Sequence, residues 1–87
     1  MKPWQKVRQQ FFELKKDARL WWFNSFIATH PYLAAKTVKV LHMVVVRKHQ
    51  QATVATQYEI HKQSVNRISK QFYQFLEMQR FTKHATK

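Results

Sequence analysis

The sequence predicts an all-α fold, a small bundle of four to five helices in a single domain over residues 1–87. Apolar residues recur at intervals of three and four along most of the chain, which is the period of an amphipathic helix. The chain contains no Gly, whereas an all-β fold with many tight turns needs residues that adopt positive φ at little cost. A length of 87 residues is also typical of one domain.

The first helix is predicted over residues 3–27, with a break near Asn24-Ser25 as an alternative. Pro3 suits the first turn of a helix because its missing N–H has no partner there. Apolar side chains spaced 3, 4, 3, 4 and 3 form a stripe of Trp4, Val7, Phe11, Leu14, Ala18 and Trp21. This spacing places them on one face of the helix.

The aromatic residues of this first helix have three interpretations. Packing in the core is the default, because aromatic side chains dominate burial energetics. A dimer or partner interface is the second, since so much apolar surface on a small chain would gain from pairing. Contact with anionic lipid is the third, because a basic amphipathic helix with Trp and Phe can lie on a membrane surface.

The remaining helices follow recognisable boundaries. Thr29-His30-Pro31 is a stop and start signal, after which helical spacing predicts a second helix over about 32–46. Residues 47–50 are a short polar break. A short helix is predicted from Gln51 to Tyr58, and a longer one begins at Lys62.

The net charge of +12 indicates a polyanionic partner, either nucleic acid or an anionic membrane surface. Residues 81–87 form a basic tail without a sustained period. The tail is either frayed, as chain termini commonly are, or an extension that contacts backbone phosphates. The first apolar cluster is too short to span a bilayer, so we expect a cytoplasmic protein without a membrane partner.

The composition argues against an enzyme. The four carboxylates are scattered, the three Ser residues lack a nucleophile motif, and there is no Cys. The five His residues include no His-x₃-His pair, so a metal site is not expected. We therefore expect no catalytic residue, no cofactor and no small-molecule substrate.

Residues 51–70 fit the pattern of a helix-turn-helix, two helices joined by a short turn. Ala55 is small enough for the point where the helices cross. The inner faces and the turn would be filled by apolar side chains, namely Val54, Tyr58, Ile60, Val65 and Ile68. Glu59 stands where such turns prefer Gly, because a left-handed residue with a Cβ costs about 1 kcal/mol. The alternative is two helices of a plain bundle with a solvated outer face.

The polar residues of this segment predict a DNA interface. The helix that begins near Lys62 would enter the major groove and present four base-reading side chains, Lys62, Gln63, Asn66 and Arg67. Five further residues suit contacts with phosphates, namely Arg47, Lys48, Gln51, Thr53 and Lys70.

The string Gln51–Thr56, followed by Ile60 and Val65, resembles the KorA/TrfB family of plasmid transcriptional repressors. The likeness includes Thr37-Val38-x-Val40 and Val44–Val46 upstream, so it covers about residues 33–75. It implies an all-helical, dimeric repressor of short palindromic operators, whose reading residues correspond to Lys62, Gln63, Asn66 and Arg67. Two features depart from the family pattern: Glu59 replaces Gly, and the aromatic helix at 3–27 has no obvious counterpart.

These observations predict a sequence-specific regulator that binds double-stranded DNA. We expect it to act as a homodimer and as a repressor, in the cytoplasm with the nucleoid or a plasmid. The alternative is a protein-interaction adaptor or anti-repressor that uses the aromatic helix at 3–27, with non-specific nucleic-acid or membrane binding through its charge.

Overall fold

The structure, a computed structural model, describes residues 2–79. This part of the chain contains five α-helices joined by short connections. They are α1 (Pro3–Phe12), α2 (Lys16–Thr29), α3 (Ala35–Val45), α4 (Gln51–Gln57) and α5 (Lys62–Met78). No strand occurs within residues 2–79. The predicted all-α class and the number of helices are confirmed, while the basic tail at 81–87 lies outside the described residues.

Helix α5 is the centre of the bundle, because each of the other four helices packs against it. Its buried face carries side chains at helical spacing: Val65, Ile68, Ser69, Phe72, Tyr73 and Leu76. Phe72 meets Phe11 of α1 and Phe26 of α2 edge to face, with ring centroids 5.1 and 5.4 Å apart. Such aromatic pairs contribute about 0.5–1.5 kcal/mol beyond the area they bury.

The prediction of one helix over 3–27 is wrong, and so is the alternative break near Asn24-Ser25. Helix α1 ends at Phe12 and α2 begins at Lys16, whereas Asn24 and Ser25 lie inside α2. A continuous helix of this length would extend about 37 Å, and the longest dimension of the molecule is 36 Å. The break lets α1 pack on α5 while α2 packs on both α3 and α5.

The buried guanidinium of Arg19 stabilises this break. Its Nη1 donates to the Leu14 carbonyl, in the turn between α1 and α2. Its Nε and Nη2 donate to the Val46 carbonyl, at 3.2 and 2.8 Å. Arg19 on α2 therefore ties the end of α1 to the end of α3.

Helix α3 begins at Ala35 rather than near residue 32, because the chain turns first, with Leu33 N–H donating to the His30 carbonyl. After α3 the chain reverses through Lys48, which has a φ of 59°. The His49 N–H then donates to the Met43 carbonyl over 3.0 Å. The predicted polar break at 47–50 is confirmed, and its conformation requires a left-handed residue that the sequence did not reveal.

The connection between α4 and α5 is a Schellman turn. The Ile60 N–H donates to the Ala55 carbonyl at 3.0 Å, and the Glu59 N–H donates to the Thr56 carbonyl at 3.3 Å. Glu59 has a φ of 55°, which is the left-handed conformation that Gly adopts most readily. The expectation that Glu59 occupies a position suited to Gly is therefore confirmed.

Arg19→Met should lower the free energy of unfolding by about 2–3 kcal/mol, because it leaves the Val46 carbonyl without a partner inside the protein. Lys16→Met is the matched control: Lys16 is on the same helix and exposed, so a change within about 0.5 kcal/mol is expected. Urea unfolding followed by circular dichroism measures both. Equal destabilisation by the two substitutions would contradict the structural role of Arg19.

Glu59→Gly should raise the free energy of unfolding by about 1 kcal/mol, because Gly removes the Cβ conflict of a left-handed residue. Glu59→Ala keeps the Cβ and should give little of this gain, which separates the backbone effect from loss of the carboxylate. The same urea titration reports both variants. A gain of similar size in both would attribute the effect to charge instead.

Candidate nucleic-acid interface

The facing sides of α4 and α5 are filled by the side chains that the sequence predicted. Val54, Ala55, Val65 and Ile68 are all buried. Tyr58 and Ile60, in and beside the turn, are half-buried and pack against the same core. Because these positions face inward, the polar residues between them must lie on the outside of α5.

The outer surface of α5 carries the four predicted base-reading residues within its first two turns, and all four are exposed: Lys62, Gln63, Asn66 and Arg67. None of them makes a side-chain hydrogen bond or ion pair within residues 2–79. Their donors and acceptors are therefore available to an external molecule.

A groove of about 650 Å³ lies between α1, the start of α4 and the outer surface of α5, and we call it the α1–α5 groove. It is lined by Trp4, Arg8, Gln50, Gln51, Ala52, Lys62, Gln63, Asn66, Lys70 and Tyr73. Three of the four predicted base-reading residues thus line one concave surface. Arg67 does not line it, although it is exposed on the same helix.

The five predicted phosphate-contacting residues lie at three different places in the structure. Gln51 and Lys70 line the α1–α5 groove. Lys48 lines an adjoining cavity of about 240 Å³, which shares Arg8 and Tyr73 with the groove. Arg47 and Thr53 are exposed but line neither cavity.

All the formal charges that line the α1–α5 groove are positive. Arg8, Lys62 and Lys70 bring three positive charges to its lining, and Lys48 adds a fourth in the adjoining cavity. Neither cavity is lined by an Asp or Glu from the part of the chain described. Positive charges gathered in a concave surface raise the local potential and attract anions.

Two polar atoms of groove-lining residues are buried, Trp4 Nε1 and the Tyr73 hydroxyl, and within residues 2–79 neither has a hydrogen-bond partner besides Arg8, which lies near the hydroxyl. The rings of these residues are nearly parallel, with centroids 6.4 Å apart. Burial raises the pKa of Tyr73 to about 12, an effect that the charge of nearby Arg8 and a hydrogen bond with it partly offset. Tyr73 therefore remains a neutral O–H donor at physiological pH.

The sequence did not predict the contribution of α1 to this site. Trp4 and Arg8 are one helical turn apart, so their common face could be expected from spacing alone. Nothing in the sequence indicates that this face lies beside α5. Lys70 connects the two helices, since its Nζ lies 5.6 Å from the centre of a Trp4 ring.

The aromatic residues of the predicted first helix are mostly core residues. Phe11, Trp22, Phe23 and Phe26 are buried in the single hydrophobic core, which agrees with the first of the three interpretations. Trp4 and Phe12 are half-buried, and Trp21 has 56% of its surface exposed.

No three His, Cys, Asp or Glu side chains within residues 2–79 lie together in a way that could hold a metal ion. No helix of this range combines the length and the apolar composition needed to cross a membrane.

The assembled site is a concave, positively charged surface with free amide, ammonium and guanidinium groups along one edge. Such a surface can bind an extended anion and donate hydrogen bonds to it. The chain matches no family model, no curated protein and no solved structure.

Proposed function

We propose that the protein is a sequence-specific, duplex-DNA-binding transcriptional regulator, a repressor that acts as a homodimer. The observation that carries this proposal is the set of four exposed side chains on the first two turns of α5, none of which has a hydrogen-bond or ion-pair partner within residues 2–79. In this proposal α4 and α5 act as a helix-turn-helix, with α5 in the major groove.

The chemistry of the four side chains suits the edges of bases. Arg67 and Lys62 can donate to the O6 and N7 atoms of guanine, and Gln63 and Asn66 can make paired hydrogen bonds with adenine. Hydrogen bonds to base edges discriminate between DNA sequences, whereas contacts with phosphates do not. The proposal of sequence specificity depends on these residues rather than on total charge.

The charge distribution supports a nucleic-acid partner. The formal net charge is +12, and the lysines and arginine around the α1–α5 groove have no carboxylate beside them in its lining. Lys48 has a left-handed conformation in the connection between α3 and α4, three residues before α4 begins. A backbone phosphate beside α4 would lie within reach of such a cation.

Repression and dimer formation are proposed from the resemblance of residues 51–56 to the KorA/TrfB repressors. Two copies related by a two-fold axis would present two α5 helices to half-sites about 34 Å apart, or one helical turn of DNA. Selection of bound fragments from random duplex DNA, with light scattering of the eluted complex, tests both points. The expected result is a palindromic consensus bound by two chains, and absence of any enriched sequence would contradict the proposal.

Arg67→Ala should lose about 1–3 kcal/mol of binding free energy on the selected sequence and much less on random duplex, because a base contact is lost. Fluorescence anisotropy at several salt concentrations measures both affinities. The substitution should therefore reduce the ratio of specific to non-specific affinity.

Lys48→Asn is the contrasting variant, because Asn is neutral and tolerates the left-handed conformation at this position. It should weaken binding to selected and random duplexes alike and lower the salt slope by about 0.9. If Arg67→Ala and Lys48→Asn both cause the same loss on every sequence, Arg67 does not read a base.

A further inference from the structure

We propose that the α1–α5 groove is a phosphate-binding site in which Arg8 of α1 is the main anion-binding side chain. On duplex DNA its occupant would be one backbone phosphodiester group, and this identification of the occupant rests on the proposed function. Periodicity alone does not place α1 at the interface, so Arg8, Trp4 and Tyr73 enter the site only through the tertiary structure.

The charges that line the groove come from two helices and converge on one volume. Arg8 lies on α1, while Lys62 and Lys70 lie two turns apart on α5. Their positive charges share the groove without a carboxylate from residues 2–79 in its lining. A bound oxyanion would relieve the mutual repulsion of these cations.

Arg8 is better suited than Lys70 to hold a phosphate in this groove. The Lys70 ammonium lies over the Trp4 ring, 5.6 Å from its centre. The Arg8 guanidinium lies over the Phe12 ring at 5.8 Å and also interacts with the Tyr73 hydroxyl. A guanidinium can also donate two parallel hydrogen bonds to phosphate oxygens, which an ammonium group cannot do in the same fixed geometry.

Unpartnered donors are a second and independent sign of a ligand. Tyr73 is 1% exposed and lines both the groove and the adjoining cavity, and within residues 2–79 its hydroxyl has no hydrogen-bond partner besides the nearby Arg8. Trp4 Nε1 is likewise a buried donor without a hydrogen-bond partner within residues 2–79. Buried polar groups are rarely left without a partner, and a phosphate held by Arg8 would bring acceptor oxygens to this end of the groove.

The position of the groove explains why its occupant would be a DNA phosphate. Lys62, Gln63 and Asn66, which are proposed to read bases, form one edge of the groove. A helix inserted in the major groove has a sugar–phosphate strand along each side. The strand on the α1 side of α5 would therefore pass through the volume between these residues and Arg8.

The salt dependence of duplex binding tests this assignment. Arg8→Gln should lower the slope of log affinity against log salt by about 0.9, the value for one phosphate on B-form DNA. The loss should be the same on selected and random duplexes, because a phosphate contact carries no sequence information. Arg8→Lys keeps the charge and should retain most of the slope.

Lys6→Gln is the matched control, because Lys6 is exposed on the same helix, carries the same charge and does not line the groove. It should leave the slope unchanged. Circular dichroism and thermal melting establish that each variant is folded before binding is compared. If Arg8→Gln and Lys6→Gln have the same slope, the groove proposal is overturned while the proposed DNA-binding function stands.

Pyrophosphate provides a test that needs no duplex. The indole N–H signals of Trp4, Trp21 and Trp22 can be followed by NMR during titration of the whole chain. The Trp4 signal should shift with saturation, and Arg8→Gln should abolish the shift whereas Lys6→Gln should not. If the protein binds no duplex at all, a saturable Trp4 shift supports the site while the proposed function fails, and its absence overturns both.

Discussion

The buried guanidinium of Arg19 is the interaction on which the arrangement of the bundle depends. It donates to carbonyl groups in two separate turns, at Leu14 and at Val46. Val46 caps the C-terminal end of α3, where the helix dipole is negative and favours a cation. Burial lowers the pKa of Arg19, yet an arginine remains charged in proteins, so its hydrogen bonds to these carbonyls are charge-assisted. Removing it would take the side-chain donor away from the buried Val46 carbonyl and the part-buried Leu14 carbonyl.

The hydrogen bonds of Arg19 also affect the candidate interface. Because α1 ends before Leu14, it lies against α5 instead of continuing along the line of α2, and this brings Trp4 and Arg8 beside the outer surface of α5. Because α3 ends at Val45, the chain turns through left-handed Lys48 and enters α4 next to the same groove. Two turns held by one side chain thus determine both walls of the α1–α5 groove.

The two sides of α5 have different physical roles. Its inner side provides the buried residues around Phe72 that all other helices pack against. On its outer side, Lys62, Gln63, Asn66 and Arg67 have no hydrogen-bond or ion-pair partner within residues 2–79. A rigid helix anchored in the core holds such side chains at lower entropic cost than a loop could. The proposed base-reading and phosphate-binding roles divide between this outer side and the groove beside it.

The sequence by itself determined the all-α class, the limits of α4, the start of α5, the polar break at 47–50 and the conformation of Glu59. These are local properties, set by apolar spacing and by the backbone preference of single residues. The break after Phe12 could not be predicted, because no Gly, Pro or capping residue marks it and Arg19 stabilises it through contacts distant in sequence. The position of Arg8 beside Lys62 was likewise decided by tertiary structure alone, since helical periodicity indicates which side of a helix is apolar but not which helix it will face.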